Sequence, residues 1–332
     1  MADWTRRAVT GRLLAGGLTA LAAATLPWAR ARALVDPEVA GYVAVPGGRI
    51  WYRANGLRHL ARGAVPLLVL HGGPGGQHRS RLPLVALADE RPVILYDQLD
   101  SGHADRPNDP ANWRLERFVA EIVALRQALG LSQLAILGHS WGGTIAARYA
   151  IGRPAGLRAL ILSSPLISTP RWVADNAAYV AALPADARDA IARHEAAGTI
   201  DSPAYQAAVE VYNRRHLCRA DPCPTGDTGN DAPPFNTALY RGMWGPSEFS
   251  ATGTLKDLDL TPELGRIAAP TLFVAGTYDE ATPAACRDFA ARVPGGRFVE
   301  IAGAGHSTMF EQREAYLAAV RGFLARTAPA AS

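Results

Sequence analysis

Apolar residues fall along this chain in two alternating rhythms. From about Tyr42 onward, short unbroken apolar runs are separated by stretches whose apolar residues recur at helical spacing. The runs Ile50–Arg53, Pro66–Leu70, Pro92–Tyr96, Leu134–Leu137, Ala159–Leu162, Thr271–Ala275 and Arg297–Ile301 predict strands. Most are rich in Val, Ile and Leu without polar alternation, the pattern of central strands buried on both faces. Between them, Leu115–Leu129 predicts a helix, with Phe118, Val119, Ile122, Val123, Leu125 and Leu129 at helical spacing and Gly130 ending it. Repeated strand–helix alternation predicts an α/β fold with a mainly parallel, doubly wound sheet. The rhythm breaks between Leu166 and about Leu260. That interval holds helical stretches (Trp172–Leu183, Ala185–Ala197, Pro203–His216), a loop rich in Pro, Gly and Asp from Asp221 to Pro234, and no convincing strand. The pattern resumes at Pro270. The expected organisation is a core in two parts, 34–166 and 261–332, interrupted by a helical cap at 167–260. Such a cap would lie over the strand ends, where open α/β sheets bind ligands.

Charge changes the picture only at the N-terminus. Residues 1–33 carry Arg6, Arg7, Arg12, Arg30 and Arg32 against Asp3 alone, which accounts for the whole formal charge of +4. The rest of the chain is neutral and gives no reason to expect a nucleic-acid partner. Arg6-Arg7, the apolar stretch Leu13–Leu26 and two A-x-A patterns over Ala29–Ala33 together predict a secretory signal, here of twin-arginine type. The apolar stretch is short of the ~20 residues that a membrane span needs, so cleavage rather than a retained anchor is expected. Cys218 and Cys223 could bridge in an oxidising compartment, although a short loop containing Pro222 can fail the geometry. Cys286 has no evident partner. No His pair stands at ligand spacing near the cysteines, so neither a zinc site nor any other cofactor is expected.

The chemistry concentrates in three places. Gly138-His139-Ser140-Trp141-Gly142 follows a predicted strand and opens the helical run Thr144–Ala150, the strand–turn–helix context of a G-x-S-x-G nucleophile elbow. A serine there needs a base, and the base needs an orienting carboxylate, in the order Ser, acid, His. Asp279 follows the strand Thr271–Ala275 and His306 follows Arg297–Ile301, each in a loop at a strand's C-terminal end. Glu280 is the rival acid; His139 is a poor rival base. The oxyanion needs donors already in place. Trp141 N–H supplies one, and the loop His71-Gly72-Gly73-Pro74-Gly75 the other, with Gly73 favoured over Gly72 and His71 holding the loop.

His71–Gly75, Tyr96-Asp97-Gln98, Gly138–Gly143, Trp244-Gly245-Pro246-Ser247-Glu248-Phe249 and Gly253-Thr254-Leu255-Lys256-Asp257 resemble the proline iminopeptidase family of α/β-hydrolases, and most of all its tricorn-interacting aminopeptidase and amino-acid amidase branch. The resemblance runs from about Tyr42 to Leu324. It implies an α/β-hydrolase fold with a helical cap, no metal, and release of an N-terminal residue from a short peptide, amide or arylamide through an acyl-enzyme. It also implies that Glu248 anchors the substrate's free amino group, assisted by a second acidic residue, for which Asp221 is the candidate and Glu210 stands behind it. Two positions depart from the family pattern. Asp100 replaces a glycine in the turn after Asp97-Gln98, and Cys223 replaces a frequent aromatic after Asp-Pro. The alternatives are a carboxylesterase or lactonase on the same triad and, more remotely, a non-catalytic binding protein. An epoxide hydrolase or dehalogenase would carry Asp where Ser140 stands.

Overall fold

The computed structural model describes residues 36–224 and 233–328. The expected signal at 1–33 and most of the loop Asp221–Pro234 lie outside the described residues. Eight strands form one sheet in the order β1-β2-β4-β3-β5-β6-β7-β8. They are β1 (Val39–Val45), β2 (Gly48–Asn55), β3 (Leu67–Leu70), β4 (Val93–Asp97), β5 (Leu134–His139), β6 (Leu157–Ser163), β7 (Thr271–Gly276) and β8 (Arg297–Ile301). The β1–β2 and β2–β4 pairings are antiparallel, and every pairing from β4 through β3 to β8 is parallel. The expected α/β sheet is therefore present, with one strand more than the apolar runs predicted. β1 escapes prediction because, of its seven residues, only Val43 is buried; an edge strand has little need of an apolar run.

Side chains alternate across the sheet as strand geometry requires. On β3, Leu68 and Leu70 enter a core with Phe118, Ile122, Trp141 and Ile145, while Leu67 and Val69 enter an opposite core with Leu84, Tyr316 and Phe323. The first face is covered by α1 (Leu115–Ala128), α2 (Trp141–Ile151) and, beyond the insertion, α7 (Pro283–Arg292). The second is covered by α9 (Arg313–Thr327), which follows the short α8 (Thr308–Glu311), and by a 3-10 stretch at His78–Asp89 that Pro83 keeps from being a regular helix.

Between β6 and β7 lie α3 (Thr169–Ala181), α4 (Ala185–Ala196), α5 (Pro203–His216) and α6 (Thr237–Met243), with no strand among the described residues. Ser168, Ser202 and Asn236 each cap a helix with a side-chain oxygen, which is why the chain turns into helix at those points. These helices have their own small core of Leu183, Ile191, Tyr205, Tyr212 and Phe249. The α6 helix was not anticipated; at seven residues it is too short to show a periodicity.

Candidate active site

Ser140 sits between β5 and α2 with φ 54° and ψ −122°, a strained conformation for a residue that has a side chain. The turn closes only because its neighbours are bare. A Cβ on Gly142 would lie 2.5 Å from the carbonyl oxygen of His71. That approach presses the elbow against the loop His71–Gly75. On the same loop, a Cβ at Gly72 would stand 3.0 Å from the Cβ of Ser140, so Gly72 passes directly beside the serine. Trp141 N–H opens α2 at the other side.

The loop is held from below by buried polar groups. His71 Nδ1 lies 2.8 Å from the Gly72 carbonyl oxygen, and its Nε2 accepts from Gln98 N–H at 3.1 Å. A carbonyl only accepts, so Nδ1 carries the proton and the ring is neutral. Burial agrees, pushing the imidazole down to about 4. Gln98 completes the support: its amide nitrogen donates to His71 O at 3.0 Å, and its amide oxygen accepts from Trp141 Nε1 at 3.0 Å. Asp100 adopts φ 66°, the left-handed conformation that a glycine would otherwise supply. Its carboxylate accepts from Asn108 N–H at 2.6 Å and Trp113 Nε1 at 2.9 Å. The turn survives the departure from the family pattern.

His306 Nδ1 lies 2.8 Å from Asp279 Oδ1. Asp279 is fully buried, and its Oδ1 also accepts from Ala281 N–H at 2.9 Å. Its other oxygen accepts from Ser164 Oγ at 2.6 Å and Gly276 N–H at 3.2 Å. The His306 ring lies tilted against that of His139, the residue before Ser140, with centroids 4.6 Å apart, and meets the edge of Trp172 at 5.9 Å. His139 itself is buried and pushed well below its usual range by burial and by the charges of Arg81 and His306, which makes it a weak base.

Two further carboxyl groups reach the same place. Glu280 is buried, with Oε1 3.5 Å from His306 Nε2 and Oε2 3.4 Å from the Tyr212 hydroxyl. Its main chain is pinned by Asn176 on α3, whose Nδ2 donates to Glu280 O at 3.0 Å. Burial, then the charges of Glu248 and Asp279, hold its carboxyl well above the usual range. Glu248 is half-buried beside Tyr240, and its carboxyl is likewise raised by burial while the charge of His306 lowers it. Trp172 Nε1 donates to Glu248 O at 2.7 Å and fixes this segment over the site. Glu280 Oε1 has no hydrogen-bond partner.

The expected assistants of Glu248 are corrected by this arrangement. Asp221 is exposed, and its charge acts on Arg214. Glu210 is exposed too and pairs with Arg214 at 2.9 Å. The second carboxyl beside Glu248 is Glu280, which the sequence offered only as a rival to Asp279. Its position next to Asp279 was the available signal; adjacent side chains on a turn can point to different groups. Ser164 gave no signal at all.

A family profile described as alpha/beta hydrolase fold matches residues 65–312. A proline iminopeptidase of Heyndrickxia coagulans is 42% identical over 287 residues, covering 86% of this chain and 98% of that protein. Among solved structures, VinJ superposes with a TM-score of 0.81 at 33% identity, over 88% of this chain and all of VinJ. The proline iminopeptidase of Mycobacterium smegmatis superposes with a TM-score of 0.78 at 35% identity, over 89% of this chain and all of that one. With these likenesses added to the elbow, the buried Asp279–His306 pair and the glycine loop, the chain belongs to the proline iminopeptidase family of α/β-hydrolases.

Proposed function

We propose that this protein is a serine aminopeptidase that releases an N-terminal residue, with proline in the range of accepted residues, from short peptides, amides or arylamides. Ser140 Oγ attacks the carbonyl carbon of the first residue while His306 takes its proton. Asp279 holds His306 Nδ1–H and stabilises the imidazolium as it forms. The N–H groups of Gly73 and Trp141 receive the negative charge on the tetrahedral oxygen. His306 then returns the proton to the leaving amine, and water, activated by the same histidine, cleaves the acyl-enzyme. The segment 167–260 acts as the lid over this centre.

The observation that carries the reading is the pair Glu248 and Glu280 beside His306. A carboxyl group enclosed without a cation is costly, and a terminal ammonium is the cation that would complete it. An esterase or lactonase substrate has no such group to offer. The test compares an aminoacyl arylamide with its N-acetylated counterpart, on wild type and on Glu248→Gln. The variant should lose about 2–5 kcal/mol in kcat/KM on the free amine, and much of its discrimination against the acetylated compound. Equal cleavage of both compounds by wild type would move the assignment to the esterase reading.

The same reading extends to location. Arg6-Arg7, the apolar stretch Leu13–Leu26 and the A-x-A patterns support export with cleavage near Arg32–Val35. A disulfide between Cys218 and Cys223 fits an oxidising compartment. Mass spectrometry of protein from the native cell should find a mature N-terminus in that interval; an intact Met1 or Ala2 terminus on the bulk of the protein would exclude cleavage.

A further inference from the structure

The loops that carry Asp279 and His306 leave the sheet at two different strands, yet one short segment of the cap grips both. At the end of α5, His216 O accepts from His306 N–H at 2.8 Å, and Leu217 O accepts from Ser307 N–H at 2.8 Å. The approach is close enough that a Cβ on Gly305 would stand 2.7 Å from His216 O. The same segment holds the acid loop. His216 Nδ1 lies 2.9 Å from Tyr278 O and therefore donates to it, and the Arg219 guanidinium covers the Tyr278 ring at 3.8 Å. The His216 ring is stacked at 3.9 Å on Tyr179 of α3, so it is fixed from the cap side as well.

Immediately beyond this grip the chain is tied to itself. Cys218 and Cys223 are bridged, with their Cα atoms 5.9 Å apart and five positions apart in sequence. Cys218 N–H and Leu217 N–H both bond to Asn213 O at the last turn of α5, so the bridge is anchored to the helix. Cys218 is buried while Cys223 is exposed, so a thiolate from solution can reach Cys223.

We infer that His216 and Leu217 are positioning residues for the catalytic histidine, and that the Cys218–Cys223 bridge keeps them in place, so that its reduction slows catalysis. The reaction is ordinary exchange. A dithiol attacks Cys223 Sγ as thiolate, the Cys218–Cys223 bond breaks, the mixed disulfide is resolved by the second thiol, and the protein gains two thiols while the reagent becomes a disulfide. Freed from the bridge, residues 216–219 no longer hold the loops at one depth. The cost falls on proton transfer between Ser140 and His306 rather than on amine binding, because Glu248 lies on another segment of the cap.

This rests on the serine-hydrolase reading, so one readout avoids the substrate question altogether: the rate at which a fluorophosphonate modifies Ser140. The experiment uses the whole protein in oxidised form, after reduction by a dithiol, and as Cys218→Ser/Cys223→Ser, with thiols counted as one, three and one. Reduction and the double variant should each slow phosphonylation and lower kcat by about ten- to a hundredfold, the scale of a misplaced catalytic group, with KM changed by about twofold or less. His216→Ala should do the same in oxidised protein, and His216→Asn, whose amide can still donate to Tyr278 O, should restore most of the loss. Unchanged phosphonylation and kcat in protein with three free thiols overturns the inference, even if the melting temperature drops. So does a rise in KM at constant kcat. Redox-dependent phosphonylation without arylamide cleavage would leave the inference standing and reject the aminopeptidase assignment.

Discussion

The carboxylate of Asp279 receives four donors: His306 Nδ1–H, Ser164 O–H, and the N–H groups of Ala281 and Gly276. With its lone pairs filled in this way, a fully buried acid is aimed at one histidine nitrogen and no other. Ser164 is the only hydroxyl among the four donors, and it stands at φ 48° just past β6, a backbone position that a side chain occupies only under constraint. Ser164→Ala should therefore leave the fold intact and lower kcat about tenfold or more, the value of one hydrogen bond to a charged group, with little change in KM. Steady-state kinetics on an arylamide checks this. A rise in KM alone would mean that Ser164 shapes the binding pocket instead.

At the scale of elements, what could be read from the sequence divides by how local its cause is. Central strands such as β3 and β4 are buried on both faces, so each shows as an apolar run. The elbow was legible because a strand, a serine flanked by glycines and a helix follow one another directly; Gly142 leaves no choice of side chain at 2.5 Å from His71 O. Asp279 and His306 were legible through the strands they follow. By contrast, among the described residues β1 pairs only with β2 and lies at the sheet edge, and α6 owes its position to Asn236, which caps it and also donates to Asp100 O at 2.9 Å. Such long-range partners leave no periodic trace. The same holds for the two carboxyl groups beside His306. Glu248 and Glu280 are 32 positions apart on different segments, and Trp172 and Asn176, both on α3, each bond the main chain of one of them. Asp221 was the partner that the resemblance implied, but it lies exposed within the loop closed by Cys218 and Cys223.

For the molecule as a whole, buried groups such as Glu280 and His139 pull stability in opposite directions as pH changes. Glu280 is held well above the usual carboxylate range by burial, then by Glu248 and Asp279. In the unfolded chain it ionises near ~4.3. Between that pH and its native value, the folded protein keeps a proton that the unfolded chain has released, so stability falls as pH rises. His139 acts in the opposite sense. Its native value is depressed by burial, so below about 6.5 the unfolded chain takes up a proton that the folded one refuses, and stability falls as pH falls. Between about 4.3 and 6.5 the two slopes oppose each other; above about 6.5 the histidine is neutral in both states and the carboxyl acts without that opposition. Glu280→Gln removes only the carboxyl contribution. Denaturant unfolding across pH should find the variant gaining on wild type as pH rises above ~4.3, by up to about 1.4 kcal/mol per unit for one proton, until wild-type Glu280 ionises. On the proposed function, the functional counterpart is that Glu280 gives up its proton when a substrate ammonium binds beside it. Calorimetric titration with an amino-acid product in buffers of different ionisation enthalpy would register that proton. A wild-type–variant difference that is flat with pH, together with no proton release, would mean that Glu280 is already ionised in the free enzyme.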